Sequence, residues 1–363
     1  MARRTPFYPG HVRAGGKMVD FAGWELPVQF RSILEEHAAV RAAAGVFDVS
    51  HMGEVFITGP RAMEATQRLL SNDVARLSDH QAAYSGMLYD TGTFVDDVLV
   101  YRFDAERFLV VVNGANVAKD VAWMKEHHGG ATVADASDEY AQLAVQGPKA
   151  AGIVQKLTRT DLSKIKWYWH AGDKEVGGVR CIIARTGYTG EDGFELYCSP
   201  KDAMKLWDAL FEAGEPDGLV PAGLGCRDSL RLEMKYALYG NDIDDQHTAY
   251  EASLGWIVKM DKGDFNGRAA LEKQKKDGIP RKLVGFTMTD KGIPRQRYPI
   301  VKDGQKVGEV TSGTMSPSLK IPIGVGYVPA ALSAEGSTFD VEIRGKPVGA
   351  KVVKTPFYRK QEG

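Results

Sequence analysis

An α+β fold is predicted from two features of the 363-residue chain. A strand, a Gly-Pro step and an amphipathic helix occupy 54–70 and recur about 88 residues later at 142–157, which indicates two related halves. Each half is predicted to be a ferredoxin-like unit, a sheet with two helices on one face. Beyond residue 281, short apolar runs alternate closely with Gly, Pro and Asp turns, which predicts a small antiparallel barrel or sandwich.

The length and the charge bound the number of domains and the kind of partner. A chain of 363 residues is too long for one compact core, so two or three domains are expected. A charged, polar segment at 261–281 marks a boundary, which gives predicted domains at 1-275 and 281-360. The net charge of -1 gives no electrostatic reason to expect nucleic acid or an anionic membrane as partner. No apolar run approaches the roughly 18 residues of a membrane span.

The cysteines and the N-terminus favour a cytoplasmic protein. Cys181, Cys198 and Cys226 form no CxxC pair, and any disulfide scheme leaves one unpaired, which argues for a reducing compartment and against a zinc knuckle. The N-terminus has basic residues but lacks the apolar segment of a secretory signal. No metal is expected, because the sequence has no HExxH pair, and a GxxxxGK[ST] phosphate loop is also missing.

The first elements are a strand pair and a helix. Aromatic and aliphatic residues at 16–30 predict a buried, irregular strand pair. The next helix is expected to be capped by Ser32 and to end at Gly45. Two short strands follow, with His51 and Met52 at the bend between them. A lone histidine in such a place is more often structural than catalytic, so we interpret His51 as structural.

Four strand-turn-helix units then make up the two halves. They begin at Glu54, Phe108, Gln142 and Phe194. In the first and third, proline follows the turn glycine and is expected at the first helical position, where its missing N–H would have had no partner.

Between the first two units lies an apolar strand at 92–103 that contains Asp96 and Asp97. Neighbouring residues of a strand point to opposite faces, so an internal strand would bury at least one of these carboxylates. A buried aspartate must be paired or must serve a function, and it is a candidate for proton chemistry. A loop that leaves both side chains in water is the alternative.

The stretch at 184–198, ARTGYTGEDGFELYC, is a further candidate site. Its three regularly spaced glycines let the backbone turn sharply and approach a bound molecule. An alternating strand follows, in which Glu195 points into whatever the turn encloses. The alternative is a polar hairpin with a solvated glutamate.

Two arginines complete the candidates found from the residues themselves. A helix is predicted to begin near Arg227, where an arginine opposes the helix dipole unless its guanidinium group has a partner. Arg359, in the final PFYRK, belongs either to a fraying tail or to a segment that reaches back, and its position alone favours the tail.

Ten short strings now add up to a resemblance. MVDFAGWELPVQF, FDVSHMGE, VDDVLVY, VVNGAN, VQGPKA, RTGYTGEDGFEL, PAGLGCRDSLRLE, YGNDID and TSGTMSPS occur in this order between Met18 and Ser318, and PFYR follows. Together they resemble the glycine cleavage T-protein family of aminomethyltransferases over essentially the whole chain.

This resemblance implies a fold, a reaction and partners. The fold would be two ferredoxin-like subdomains and a C-terminal antiparallel β-barrel in a cloverleaf arrangement. The reaction would transfer the aminomethyl group from the dihydrolipoyl arm of a lipoylated H protein to tetrahydrofolate, the acceptor substrate. Its products would be 5,10-methylenetetrahydrofolate, ammonia and the free dithiol arm.

The resemblance also implies site residues at the matching positions. Asp97 matches the catalytic carboxylate beside the reactive folate nitrogens, and Glu195 matches the residue that holds the pterin. Arg227 and Arg359 match substrate-contacting arginines, which replaces the tail interpretation of Arg359. The positions that match the lining of the site are Tyr84, Tyr101, Asn113, Tyr168, Tyr188, Tyr236 and Met52.

The chain departs from the family pattern at three positions. Thr93 stands where a second glycine is usual, Ala249 where proline is common, and Lys320 where glycine is usual. None of the three removes a proposed functional group, although Lys320 alters the surface expected near the partner protein.

Two other functions stay open at this point. One is a folate-dependent demethylase of the same superfamily, which would share Glu195. The other is a non-catalytic folate-binding protein of the iron–sulfur maturation kind. That branch carries a KGCYxGQE-like segment, whereas the corresponding stretch at 239–252 contains no cysteine.

Overall fold

The computed structural model describes residues 2–360, so Met1 of the predicted first domain lies outside the described residues. The chain forms two compact units. The first comprises the residues up to Ser85 together with Asp97–Asp228, and the second comprises Gly86–Asp96 together with the residues from Ser229 onward. The chain therefore enters the second unit twice, and the boundaries 1-275 and 281-360 stay a prediction.

The first unit begins with α1 (Tyr8–Arg13), β1 (Lys17–Phe21), β2 (Trp24–Gln29) and α2 (Ile33–Ala42). Ser32 caps α2 as predicted, because its hydroxyl accepts a hydrogen bond from the Glu35 amide at 3.2 Å. The predicted burial of the strand pair is wrong for β1, which is exposed along most of its length. β1 pairs with β2 alone, and only β2 contributes a core residue, Leu26.

The prediction that Gly45 ends α2 is also wrong. The helix ends at Ala42, and Gly45 lies inside β3 (Ala44–Asp48). A Cβ atom at Gly45 would lie 2.6 Å from the Val40 side chain. The glycine therefore allows a close approach of strand and helix rather than a turn.

The first large sheet follows from two of the four strand-turn-helix units. Its elements are β4 (Gly53–Thr58), α3 (Ala62–Leu69), β5 (Ala82–Leu88), β6 (Phe94–Asp104), β7 (Arg107–Val112), α4 (Val117–Glu126) and β8 (Thr132–Asp135). The strand order is β5-β6-β7-β4-β8, and the β6–β7, β7–β4 and β4–β8 pairs are antiparallel. The series β6-β7-β4-β8 is the ferredoxin-like order that the repeat predicts.

The second large sheet repeats this plan, except that β3 takes the place that β8 has in the first sheet. Its elements are β9 (Ala141–Gln146), α5 (Ala150–Gln155), β10 (His170–Val176), β11 (Val179–Ala184), β12 (Gly193–Cys198), α6 (Ala203–Gly214) and β13 (Leu219–Pro221). The order is β10-β11-β12-β9-β3-β13. β3, from the N-terminal segment, pairs antiparallel with β9, and β13 is added in parallel on the outer side of β3.

The predicted position of the two turn prolines is wrong by two residues. α3 and α5 begin at Ala62 and Ala150, so Pro60 and Pro148 lie in the preceding turns. The turn glycine before each proline has a positive φ, and the chain needs two further residues before it enters the helix.

The two large sheets face each other through an apolar layer. Phe56 and Leu109 contribute to this layer from the first sheet, and Ile182 and Ala184 from the second. The opposite face of the second sheet packs against α5 and α6. Side chains that alternate along β6 and β12 therefore point either into this layer or away from it, and the layer contains the candidate site.

The second unit contains a helix and a closed barrel. α7 (Leu224–Glu233) begins three residues before Arg227 and continues into this unit, and α8 (Arg268–Asp277) lies within it. The barrel strands are β14 (Arg281–Met288), β15 (Pro299–Lys302), β16 (Gln305–Met315), β17 (Pro322–Pro329), β18 (Thr338–Ile343) and β19 (Lys346–Val352). The order β14-β17-β16-β15-β18-β19 closes on itself, and every pair is antiparallel. The α+β class is confirmed, and the barrel alternative is correct.

Candidate functional site

Asp97 lies near the start of β6 with both carboxylate oxygens engaged. The Tyr84 hydroxyl donates to Oδ2 at 2.8 Å, and Asn113 Nδ2 donates to Oδ1 at 2.9 Å. Asn113 also donates to the Asp97 carbonyl at 3.1 Å. Burial and the charge of Asp97 raise the pKa of Tyr84 well above its ordinary value, so this phenol stays protonated and acts as a donor. Asp97 is thereby held in one orientation.

The two adjacent aspartates differ in exposure, as their alternation on a strand predicts. Asp96 is fully buried, whereas Asp97 is half-buried. The alternative of a loop with both carboxylates in water is therefore wrong. The reason is that β6 is internal to its sheet, where the side chains of two neighbouring residues point to opposite faces.

Glu195 lies on β12 and is 8% exposed, so the alternative of a solvated glutamate is wrong. Three donors hold its carboxyl group. The Thr186 hydroxyl and the Tyr101 hydroxyl, the latter at 3.4 Å, donate to Oε2. Gln142 Nε2 donates to Oε1 at 3.2 Å. A carboxylate has about four acceptor positions, so this arrangement leaves room for a ligand.

Opposing effects set the ionisation of Glu195. Burial raises its pKa, while the Thr186 hydrogen bond and the positive charge of Arg227 lower it, and the net shift is upward. Tyr101 also contacts the Thr186 and Tyr197 hydroxyls, each at 3.1 Å. The pKa values of both tyrosines are raised well above the ordinary value by burial and the nearby acid. The phenols therefore remain neutral donors.

Asp97 and Glu195 face the same space between the sheets. Asp97, Leu99 and Tyr101 are alternate residues of β6 and so project from one face of the strand. Tyr101 contacts Glu195 across that space. Four residues of strand span about 13 Å, so the two carboxyl groups lie along one inter-sheet layer, with Tyr101 beside Glu195.

Arg227 has an aromatic partner, as its position in the helix predicts. Its guanidinium lies 4.6 Å from the centre of the Tyr188 ring. Burial, together with the positive charge of Arg227, lowers the pKa of His51 to about 4. His51 is therefore neutral at pH 7, and its ring packs edge-on against Phe21 at 5.5 Å.

Met52 and Tyr168 lie at the edges of this region. Met52 is half-buried and packs against the apolar layer that contains Tyr101. Tyr168 is 38% exposed and has a φ of 58°. Its backbone carbonyl accepts a hydrogen bond from the Ala82 amide at 2.7 Å. Its phenol contributes to the raised pKa of Tyr84.

Tyr236 and Arg359 belong to the second unit. Tyr236 is 37% exposed, and its amide donates to the Arg231 carbonyl at 2.9 Å. Arg359 is exposed, and the residue before it, Tyr358, donates its amide to the Glu233 carbonyl at 3.1 Å. The chain is thus anchored up to Tyr358, which does not match a fraying tail. The binding roles of Tyr236 and Arg359 stay predictions.

Four buried polar residues around Glu195 were not predicted as part of the site. They are Glu54, Gln142, Thr186 and Tyr197. For Glu54, Gln142 and Tyr197 the available signal is strand alternation, because each interrupts a strand that is otherwise mostly apolar or small, whereas Thr186 follows Arg185 in the connection between β11 and β12. Single polar residues of that kind are common in strands, so the pattern does not separate them from solvated side chains.

Carboxylates, phenols, amides and a guanidinium are the chemical groups gathered here. Among residues 2–360, no three His, Cys, Asp or Glu side chains are grouped so that they could hold a metal ion. Across the same residues, no helix is both long and apolar enough to cross a membrane. The three cysteines are buried free thiols.

Comparison with known proteins gives matches along nearly the whole chain. Residues 7–262 match the model of the GCVT N-terminal domain, and residues 281–359 match that of the glycine cleavage T-protein C-terminal barrel domain. The chain is 49% identical over 361 residues to an aminomethyltransferase of Desulfitobacterium hafniense (strain Y51), with 99% of each chain covered. It is 49% identical over 359 residues to an aminomethyltransferase of Halalkalibacterium halodurans, with 99% of this chain and 98% of the relative covered. The crystal structure of glycine cleavage system aminomethyltransferase T from Bartonella henselae matches with a TM-score of 0.92 and 33% identity, over 99% of this chain and 98% of that one.

Proposed function

The chain belongs to the glycine cleavage T-protein family and is an aminomethyltransferase, and we propose that Glu195 binds the pterin of tetrahydrofolate while Asp97 serves the transfer of the aminomethyl carbon. The donor in this proposal is the aminomethylated dihydrolipoyl arm of an H protein. The observation that carries the proposal is that the carboxyl groups of Asp97 and Glu195 lie along one inter-sheet layer. Each is oriented by its own hydrogen-bond donors.

The surroundings of Glu195 suit the edge of a pterin. That edge presents an amino group and a ring N–H, two parallel donors that a carboxylate can accept together. The Tyr101 contact to Oε2 is long, and the same hydroxyl has Thr186 and Tyr197 as nearer partners. Tyr101 can therefore release Oε2 to the ligand without losing its own hydrogen bonds. Arg227 supplies the positive charge that favours the ionised form of Glu195.

The surroundings of Asp97 suit a reaction that develops positive charge. Tyr84 and Asn113 donate to separate oxygens, so the carboxylate is oriented before the substrates arrive. An oriented anion can hold the amine, accept a proton from a folate nitrogen and stabilise the cationic carbon–nitrogen centre as ammonia leaves. The carbon–sulfur bond of the donor also breaks. Of the two protons that the folate nitrogens release, one completes ammonia and the other completes the free thiol.

The test is formation of 5,10-methylenetetrahydrofolate by the purified chain. The reaction contains tetrahydrofolate and aminomethylated lipoyl H protein, and both the folate product and ammonia are measured. We expect the two products in equal amounts, and no product with H protein that lacks the lipoyl group. Folate methylation from a small methylated donor, without product from the H protein, would instead identify a demethylase.

A further inference from the structure

A second buried carboxyl group lies in the same layer as Glu195. Glu54 is on β4 and is 1% exposed. It shares a strand face with Phe56, which packs in the layer that also contains Tyr197. The Oε1 atom of Glu54 is buried and has no hydrogen-bond partner. A buried polar atom without a partner is unusual and calls for an explanation.

The groups that act on Glu54 favour its neutral form. Burial and the negative charges of Asp135 and Glu195 all raise its pKa, well above the ordinary value for a glutamate. The charge of Glu54 in turn contributes to the raised pKa values of two phenols, Tyr140 and Tyr197. A neutral carboxyl group carries an O–H, so the form of Glu54 that its surroundings favour is a donor as well as an acceptor.

Gln142 offers the matching acceptor. It lies on β9 opposite Tyr197, is 1% exposed, and donates from Nε2 to Glu195 Oε1 at 3.2 Å. Its own Oε1 is buried and has no donor. If this amide turned over, it would present an oxygen to the Glu195 carboxylate and repel it. The orientation of Gln142 therefore decides whether Glu195 is supported or opposed.

We propose that the carboxyl proton of Glu54 forms a hydrogen bond to Gln142 Oε1, which holds the Gln142 amide with its Nε2 toward Glu195. Glu54 and Gln142 are then positioning residues for the folate ligand, since they act through Glu195. This inference rests on the proposed role of Glu195 in folate binding.

A dependence on pH follows from the same contact. As the pH rises and Glu54 ionises, it becomes an acceptor only and competes with Glu195 for the Gln142 Nε2 donor. Gln142 then turns its oxygen toward Glu195, and the folate site loses its support. Asp135 and Glu195 oppose this ionisation, and Tyr140 and Tyr197 remain neutral donors near it. Folate affinity should thus fall on the alkaline side.

The test measures the dissociation constant of 5-formyltetrahydrofolate by calorimetry between pH 6.5 and 9. We expect Glu54→Gln, which keeps a donor, to bind within about threefold of the wild type at pH 7 and to lack the alkaline loss. Glu54→Leu and Gln142→Met should each bind about tenfold or more weakly, and the double variant no more weakly than Gln142→Met alone, because Glu54 acts on Glu195 only through Gln142. Phe56→Leu, on the same strand face, is the matched control and should keep the affinity and pH profile of the wild type.

Several outcomes would overturn the inference. Wild-type affinity in Glu54→Leu, additive losses in the double variant, or an alkaline loss that persists in Glu54→Gln would each remove the positioning role. Circular dichroism checks folding, and if Glu54→Leu does not fold, the pH profile of Glu54→Gln decides alone. Absence of folate binding by the wild type would instead refute the proposed function, so the two failures are distinguishable.

Discussion

Asp97 is oriented by neutral donors, so its replacement by asparagine should separate binding from chemistry. Asp97→Asn keeps the shape of the side chain and can still accept from Asn113 or Tyr84, but it removes the negative charge. We expect turnover to fall by about 100-fold or more and tetrahydrofolate affinity to stay within about tenfold. Steady-state kinetics with the H-protein donor and calorimetry with folate measure the two effects. Unchanged turnover would remove Asp97 from the mechanism.

Glu195 should control folate binding rather than turnover alone. In Glu195→Ala the two pterin donors lose their acceptor, so we expect folate binding to be lost in calorimetry. Tyr188→Phe serves as a milder comparison, because it keeps the ring that faces Arg227. Wild-type affinity in Glu195→Ala would contradict the pterin role.

The raised pKa of Glu195 adds a dependence on pH with a definite sign. Protonation sets in at a higher pH than for an ordinary glutamate, and a protonated carboxyl group gives up one acceptor position to its O–H. Folate affinity should therefore fall as the pH falls through the pKa of Glu195. Calorimetry in buffers of different ionisation enthalpy should show proton release on binding at the acid end. A pH-independent affinity from pH 5 to 7 would contradict this.

At the level of single residues, the motifs predicted the two carboxylates but not their supports. Asp97 and Glu195 stand out because a charged residue interrupts an apolar strand or follows a glycine turn. Thr186 lies in the connection between β11 and β12, where a polar residue gives no signal. Gln142 is uncharged and gives a weaker signal, and its role depends on the β9–β12 register, which brings it beside Glu195 although the two are 53 positions apart. That register is set by long-range packing, which a local pattern does not contain.

Among the elements, α2 depends on Glu36 for its attachment to the neighbouring chain. Glu36 is 1% exposed and accepts three backbone amides, those of Phe30 at 2.6 Å, Arg31 at 3.1 Å and Gly223 at 2.9 Å. Glu36→Ala leaves these donors without partners, so we expect a loss of roughly 2–4 kcal/mol in the free energy of unfolding. Urea denaturation measures this loss.

Ser32→Ala is the matched control for that measurement. It removes one capping hydrogen bond at the exposed start of the same helix, and about 1 kcal/mol is expected. Equal losses in the two variants would show that Glu36 does no more than an ordinary cap.

The elements themselves were largely predictable, while their order in the sheets was not. The four strand-turn-helix units follow from apolar periodicity, and three helices begin only a few residues from their predicted starts. The insertion of β3 between β9 and β13 has no counterpart in the repeat, because β3 precedes it in the chain. β15 also cannot be predicted from its residues, since a four-residue strand is too short to show alternation.

For the whole molecule, the second unit extends beyond the barrel strands. The predicted barrel domain starts at residue 281, yet buried polar contacts join the barrel to the preceding segment. Arg231 forms an ion pair with Asp242 and donates to Ser312 at 2.9 Å. The Tyr327 hydroxyl donates to the Asp242 carbonyl at 2.9 Å. These contacts make 229–280 part of the barrel's own unit.

Two fragments should therefore behave differently. A fragment of 281–363 loses Leu232 from an apolar cluster that contains Leu283, Ile323 and Val325, and it loses the buried acid that Ser312 contacts. We expect it to bind a hydrophobic dye and to melt without a cooperative transition. A fragment of 229–363 keeps these contacts and should melt cooperatively. Thermal melting followed by circular dichroism compares the two, and cooperative melting of the shorter fragment would show that the barrel is independent of 229–280, as the boundary at 281 predicts.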